Sequence, residues 1–193
     1  CQNKIADRFV EMALERAKKI KFGDPMDSKT DLGTVVNTEA AQLFDKRVSM
    51  AAEDGAKILY HPGLEGALLP PIVIDHVNPK SELVMEETFG PIVSLISFSE
   101  ETNLLNMAND CDEGGLTAYI FTTNQTRAEY YASKLRYGEI QINGVKYDID
   151  LPHGGIGQSG IGHDCSSLAL QDYLIQKRIT CSNNSYEFGK AIS

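Results

Sequence analysis

The sequence predicts an α/β protein, an open and mostly parallel sheet covered by helices. Short apolar runs rich in β-branched residues, at 57–60, 67–77, 91–98, 116–122, 139–143 and 175–181, have the length and composition of strands. The stretches at 99–109 and 125–135 have helical patterning and are too long for hairpin turns, so the strands they join are expected to run parallel. At 193 residues and 42% hydrophobic, the chain is large enough to close a core around such a sheet.

The elements follow in order. Ile5, Phe9, Met12, Ala13 and Ile20 recur at helical spacing with charged residues between them, which predicts an amphipathic surface helix ended by Gly23-Asp24-Pro25. A polar loop runs from Asp24 to Gly33, and Asp24, Asp27 and Asp31 in it have the wrong spacing for a calcium loop. Thr38 is expected to cap a second helix that continues to about Glu53, with Ala41, Phe44, Val48 and Ala51 on one face and Gly55 past its end. The strand and helix alternation then runs to residue 181, and residues 183–193 are polar enough for a tail. No segment repeats at a fixed period or has the low complexity of a linker.

Charge narrows the partners. Eighteen Lys and Arg against 27 Asp and Glu give a net charge of −9, which offers a phosphate backbone no electrostatic support and sets nucleic-acid binding aside. No apolar run reaches the roughly 18 residues of a membrane span, and no basic-then-apolar leader opens the chain, so a cytoplasmic protein is expected. Cys1, Cys111, Cys165 and Cys181 form no CxxC pair and no regular framework, which points to a reducing compartment rather than to zinc or disulfides. The chain opens on Cys rather than Met and enters a helical pattern at once, as a piece of a longer protein would.

Few motifs carry chemistry by themselves. Gly155 to Gly160 matches G-x-G-x-x-G, but Pro152 interrupts the segment before it and too little chain follows for a βαβ unit, so a glycine-rich turn is expected instead of a dinucleotide fingerprint. Cys165 beside His163 and Asp164 is read as a small idle cysteine, since sequence neighbours rarely converge as a triad does. His61, His76, His153 and His163 show no metal-site spacing. More informative is Met85-Glu86-Glu87-Thr88-Phe89-Gly90-Pro91, two acids and an aromatic ahead of a turn and a strand. Such a group suits a polar ring and its sugar; the alternative is a capped turn with a core phenylalanine.

Four ordered motifs, Glu86-Glu87-Thr88-Phe89-Gly90-Pro91, Gly115 to Thr122, Ile142-Asn143-Gly144, and Pro152-His153-Gly154-Gly155 with Ser159-Gly160-Ile161-Gly162, resemble the NAD(P)-dependent aldehyde dehydrogenase superfamily in order and spacing. The opening Ile5 to Glu11 and the Gly23-Asp24-Pro25 loop resemble the start of the same region, so the likeness spans residues 1–181. It implies residues 1–174 as the C-terminal portion of the catalytic domain and 175–193 as an oligomerisation strand and tail. It also implies a homodimeric or homotetrameric parent and a cofactor, NAD or NADP, bound mainly by a domain outside this chain.

The chemistry implied is covalent: a cysteine thiolate attacks the aldehyde, the thiohemiacetal delivers hydride to the nicotinamide, and base-activated water hydrolyses the thioester to the acid. The resemblance puts nucleophile and general base ahead of this chain, with Cys1 past the nucleophile's position, so no catalytic residue is assigned here. Glu87 corresponds to the glutamate that binds the nicotinamide ribose hydroxyls, and Phe89 to the aromatic beside the nicotinamide. Asn143 and Gly154-Gly155 match positions that shape the pocket around the thiol. His153 stands where the family commonly has Phe near the aldehyde tunnel, and with Lys146 and Tyr147 close before it the expected substrate is a polar or anionic aldehyde. A neutral packing role for His153 and a non-catalytic aldehyde-dehydrogenase-like protein are the alternatives.

Overall fold

The structure, a computed structural model, describes residues 1–99, 103–110 and 114–180. Its first unit is built on one strand buried on both faces. Helices α1 (Asn3–Lys19) and α2 (Thr38–Glu53) precede strand β1 (Lys57–Tyr60), which pairs antiparallel with β2 (Ile72–Asp75). A short helix α3 (Glu82–Met85) leads to β3 (Ile92–Ser94), which pairs parallel with β2 and completes the order β1-β2-β3.

Ile72, Val73 and Ile74 are wholly buried. Because side chains alternate across a strand, Ile72 and Ile74 pack with Phe44, Val48 and Ala51 of α2, while Val73 packs with Ala17 of α1 and with Leu95. That run without a polar residue is the pattern of a strand covered on both sides.

The second sheet is smaller, and its strands are only partly buried. Helix α4 (Leu104–Asn109) precedes β4 (Thr117–Ile120), helix α5 (Gln125–Ala132) follows, and β5 (Glu139–Ile142) pairs parallel with β4 along four residues. Asn109 accepts from Arg136 N and donates to Lys134 O, which ties the end of α4 to the approach to β5.

Most of the expected elements are present, with differences that have physical reasons. The parallel pairings β2-β3 and β4-β5 match the expectation, but β1 runs antiparallel, and the described strands form one three-stranded and one two-stranded sheet. The run at 67–77 is strand only from Ile72 to Asp75 because Pro70 and Pro71 cannot donate to a ladder and His76 takes a left-handed φ of 58°.

The cap of α2 is Asn37, whose side chain accepts from Ala40 N at 2.7 Å; Thr38 is already helical. In α1 the buried stripe is Val10, Ala13, Leu14 and Ala17, whereas Ile5, Phe9 and Met12 of the expected face are exposed. Asp24, Asp27 and Asp31 close the loop after α1 through backbone amides of Met26, Lys29 and Lys21. Residues 175–180 carry no strand and are exposed; Cys181, Cys111, the tail and residues 100–102 of the expected helix lie outside the described residues.

Candidate functional site

The acidic motif forms the turn between α3 and β3. Buried Leu83 seats its start, and Gly90 near its end lies so close to Leu69 and to Phe44 of α2 that a Cβ there would meet Leu69 Cδ2 at 2.9 Å and Phe44 Cδ2 at 3.2 Å. A larger residue there would require the Leu69 and Phe44 side chains to give way. Phe89 is 75% exposed, which excludes the core-phenylalanine alternative, and Glu87 beside it is exposed as well. The turn therefore presents a carboxylate and the face of an aromatic ring outward from a base fixed on the core.

That base includes a residue the sequence reading passed over. Arg47, 8% exposed on α2, donates from Nε to Glu82 Oε1 at 3.0 Å and from Nη1 to the Glu87 carbonyl at 3.0 Å, and its Nη2 stands 3.8 Å from Glu86 Oε2. Its signal was available: it is a charged residue on the same helical stripe as Phe44 and Ala51. Thr88 Oγ1 is buried without a hydrogen-bond partner among the described residues.

The second set of candidates gathers around β5. His153 Nδ1 lies 2.8 Å from Glu139 Oε2, and the His153 backbone exchanges hydrogen bonds with Asp164 at 2.8 and 2.7 Å. Glu139 also accepts from Gln141, and Gln141 holds the Lys146 backbone through Oε1 to N at 3.1 Å and Nε2 to O at 2.9 Å. Tyr147 OH contacts Cys165 Sγ at 3.0 Å.

The structure thus joins His153 and Lys146 through Glu139 and Gln141, and joins Tyr147 to the strand segment that pairs with His153. Cys165 is not idle but the partner of Tyr147, and that hydrogen bond is the main cause raising the tyrosine above its ordinary value. Lys146 Nζ is spent on Asp148 at 2.8 Å, a bond that raises the lysine and lowers the aspartate. Glu87 and Phe89 stand apart from these three residues, on the other sheet.

The glycine-rich segment is a turn, as expected: residues Gly157–Ser159 make a single 3₁₀ turn, and among the described residues after it only a second short 3₁₀ helix, Ala169–Tyr173, occurs, with no α-helix to receive a pyrophosphate. Gly154 has room for no side chain: a Cβ there would collide with the Gly162 carbonyl, and one on Gly138 would collide with the Gly154 carbonyl, so backbone packs directly on backbone. An open cleft of about 290 Å³ lies over this turn, with His153, His163, Asp164 and Asp172 on its walls. Asn143, at φ 55°, clamps the ends of β5 and β4 by accepting from Thr122 N and donating to Thr122 O, both at 2.8 Å. Three of the four histidines have carboxylate partners, His61 with Asp45, His76 with Asp75 and His153 with Glu139, and no group of three metal-ligating side chains occurs among the described residues.

Comparison with known proteins places this architecture. Solved chains of the same fold are nicotinamide-dependent dehydrogenases: betaine aldehyde dehydrogenase from Staphylococcus aureus in complex with NAD+ is 32% identical and superposes with a TM-score of 0.84, covering 100% of this chain and 40% of that one. A sequence profile of the aldehyde dehydrogenase family matches residues 1–179. The succinate-semialdehyde dehydrogenase [NADP(+)] of Saccharomyces cerevisiae is 34% identical over 184 residues, 93% of this chain and 37% of that protein. The betaine aldehyde dehydrogenase of Mesorhizobium japonicum is 34% identical over 92% of this chain and 38% of its own length. The chain belongs to the aldehyde dehydrogenase family and spans less than two fifths of the length of these curated relatives.

The Glu139 hub yields a pH prediction. Hydrogen bonds from Gln141 first and His153 second hold its carboxyl below the ordinary 4.5. A lowered carboxylate contributes stability that is present above the ordinary value and is lost as pH falls through the lowered one. The destabilisation caused by Glu139→Gln, read from urea unfolding, is expected to be constant near neutrality and to shrink below about pH 4.5. A pH-independent difference would mean that the pair does not form.

Proposed function

We propose that this chain is the C-terminal portion of the catalytic domain, residues 1–174, with an oligomerisation strand and tail at 175–193, of a cytoplasmic enzyme that oxidises an aldehyde to a carboxylic acid with NAD or NADP. The overall reaction takes aldehyde, oxidised cofactor and water to acid, reduced cofactor and a proton. The observation that carries the reading is the turn at Glu87 and Phe89, which presents an acceptor carboxylate and a bare aromatic face from a rigid base.

The donor set fits the nicotinamide riboside half of such a cofactor. A carboxylate accepts hydrogen bonds from adjacent sugar hydroxyls but repels phosphate, and an exposed ring packs on a planar heterocycle. The cofactor supplies the hydride acceptor when bound. Glu87 holds its ribose and Phe89 limits the tilt of its ring, while the groups that bind adenine and pyrophosphate belong to the part of the parent outside this chain. The nucleophile and general base also belong there, so this chain orients but does not react. Exposed Tyr173, Leu174, Ile175 and Ile179, with Ile175 97% exposed, support the pairing of subunits into a homodimer or homotetramer.

His153, with Lys146 and Tyr147 near it, forms the proposed wall of the aldehyde site. Glu139 on Nδ1 leaves Nε2 of His153 to meet substrate. Since Lys146 is neutralised by Asp148, the selecting group is a polar imidazole rather than a cationic patch. The curated relatives include enzymes named for succinate semialdehyde, lactaldehyde and betaine aldehyde, which are polar, beside one named for benzaldehyde, which is not.

Three outcomes are expected. The 193-residue chain alone, assayed with NAD, NADP and several aldehydes, gives no reduced cofactor, and turnover abolished by Cys1→Ala would overturn the placement of the nucleophile. In the full-length parent, Glu87→Gln slows single-turnover hydride transfer by at least about tenfold while overall cofactor affinity changes by less than about threefold. Equal losses in both would mean uniform binding instead of orientation. For matched short aldehydes with and without a hydroxyl or carboxylate, His153→Phe lowers the kcat/KM ratio favouring the polar one by about tenfold; an unchanged ratio would leave His153 with a packing role only.

A further inference from the structure

We infer that Arg47 is a positioning residue for the nicotinamide-binding turn: its buried guanidinium, projecting from α2, fixes the backbone of Glu87 and so aims that carboxylate. The inference rests on the proposed role of Glu87.

The geometry has three parts. First, the guanidinium spends its fork on one stretch of chain, with Nε on Glu82 at 3.0 Å, Nη1 on the Glu87 carbonyl at 3.0 Å and Nη2 3.8 Å from Glu86. Two carboxylates and one carbonyl, all within six residues, face a single cation. Second, the opposite end of the same turn is fixed by the same helix, because Gly90 packs on Phe44, one turn before Arg47. The acidic turn is therefore held at both ends by α2, with Glu87 and Phe89 between the anchors and turned outward.

Third, the arrangement makes little sense as a stability device alone. Burying an arginine has a desolvation cost that its ion pairs offset only when the geometry is good, and a hydrophobic residue of similar size serves a core at least as well. The side chains of Glu82 and Glu86 remain 43% and 46% exposed, so they would be solvated without Arg47. What the guanidinium adds is direction, since a planar fork constrains both the distance and the angle of its acceptors. A lysine supplies the charge without the fork, and cannot hold Glu82 and the Glu87 carbonyl together in the same geometry.

Two measurements test this on Arg47→Met and Arg47→Lys. In the cofactor-free full-length protein, hydrogen exchange of the amides in residues 86–90 is expected to rise at least about tenfold in Arg47→Met and less in Arg47→Lys, with β2 unchanged. In single turnovers, hydride transfer falls at least about tenfold with cofactor affinity within about threefold, because a small misplacement of the reacting ring is enough to cost that much. Exchange that rises evenly through α2 and β2, or hydride transfer that stays at the wild-type rate while the turn loosens, overturns the proposal. Should Arg47→Met not fold, Arg47→Lys is read by the same two criteria. Glu87→Gln measured alongside separates the two claims. If it leaves hydride transfer unchanged, the role of Glu87 fails; if it slows transfer and neither Arg47 variant does, only the role of Arg47 fails.

Discussion

The first sheet and the acidic turn beside it hang on the double-sided burial of Ile72, Val73 and Ile74. A strand with apolar residues on both faces has no stable place except between two layers, and α1 and α2 supply them, Val73 facing one and the two isoleucines the other. Each such side chain contributes on the order of 1.5–3 kcal/mol through burial, and together they fix where α2 lies relative to β3. The position of α2 then decides the rest, because the acidic turn is built against its surface and not against the sheet.

The two halves of the candidate site use one strategy with different chemistry. In each, a charged residue holds the backbone or ring of a residue that faces solvent or the open cleft. Arg47 does so for Glu87 by an ionic fork, and Glu139 does so for His153 by a carboxylate on Nδ1. The outward groups are thereby kept exposed without being loose. That combination is what binding a ligand requires, since an ordered group loses little entropy when the ligand arrives. The turn beneath His153 is closed by glycines whose backbones touch, which leaves no side chain to fill the cleft above it.

Much of the fold was legible because its signals are local. The β-branched runs, the helical stripe of α2 and the glycine after it, and the failed context of the G-x-G-x-x-G match all depend on neighbouring residues, and, apart from the run at 175–181, whose described residues carry no strand, the structure matches them in kind if not in boundary. Boundaries moved where one residue intervened, as with the prolines before Ile72 or Asn37 in place of Thr38. The buried face of α1 was misread because periodicity gives several apolar stripes on that helix, and only the partners choose among them; Val10, Ala13, Leu14 and Ala17 meet the sheet while Ile5, Phe9 and Met12 do not.

The sequence by itself determined most of the strand and helix inventory, the acidic turn with Glu87 and Phe89 as candidates, and the family that the comparisons bear out. Tertiary structure alone decided which charges serve them. Arg47 is 40 residues from Glu87 and Glu139 is 14 from His153, and no local pattern links such pairs. It also decided that Lys146 is neutralised and Cys165 engaged. The reason is physical: patterning fixes which face of an element is apolar, but a hydrogen bond between distant side chains exists only once packing has brought their elements within 3 Å, and that distance is a property of the whole fold.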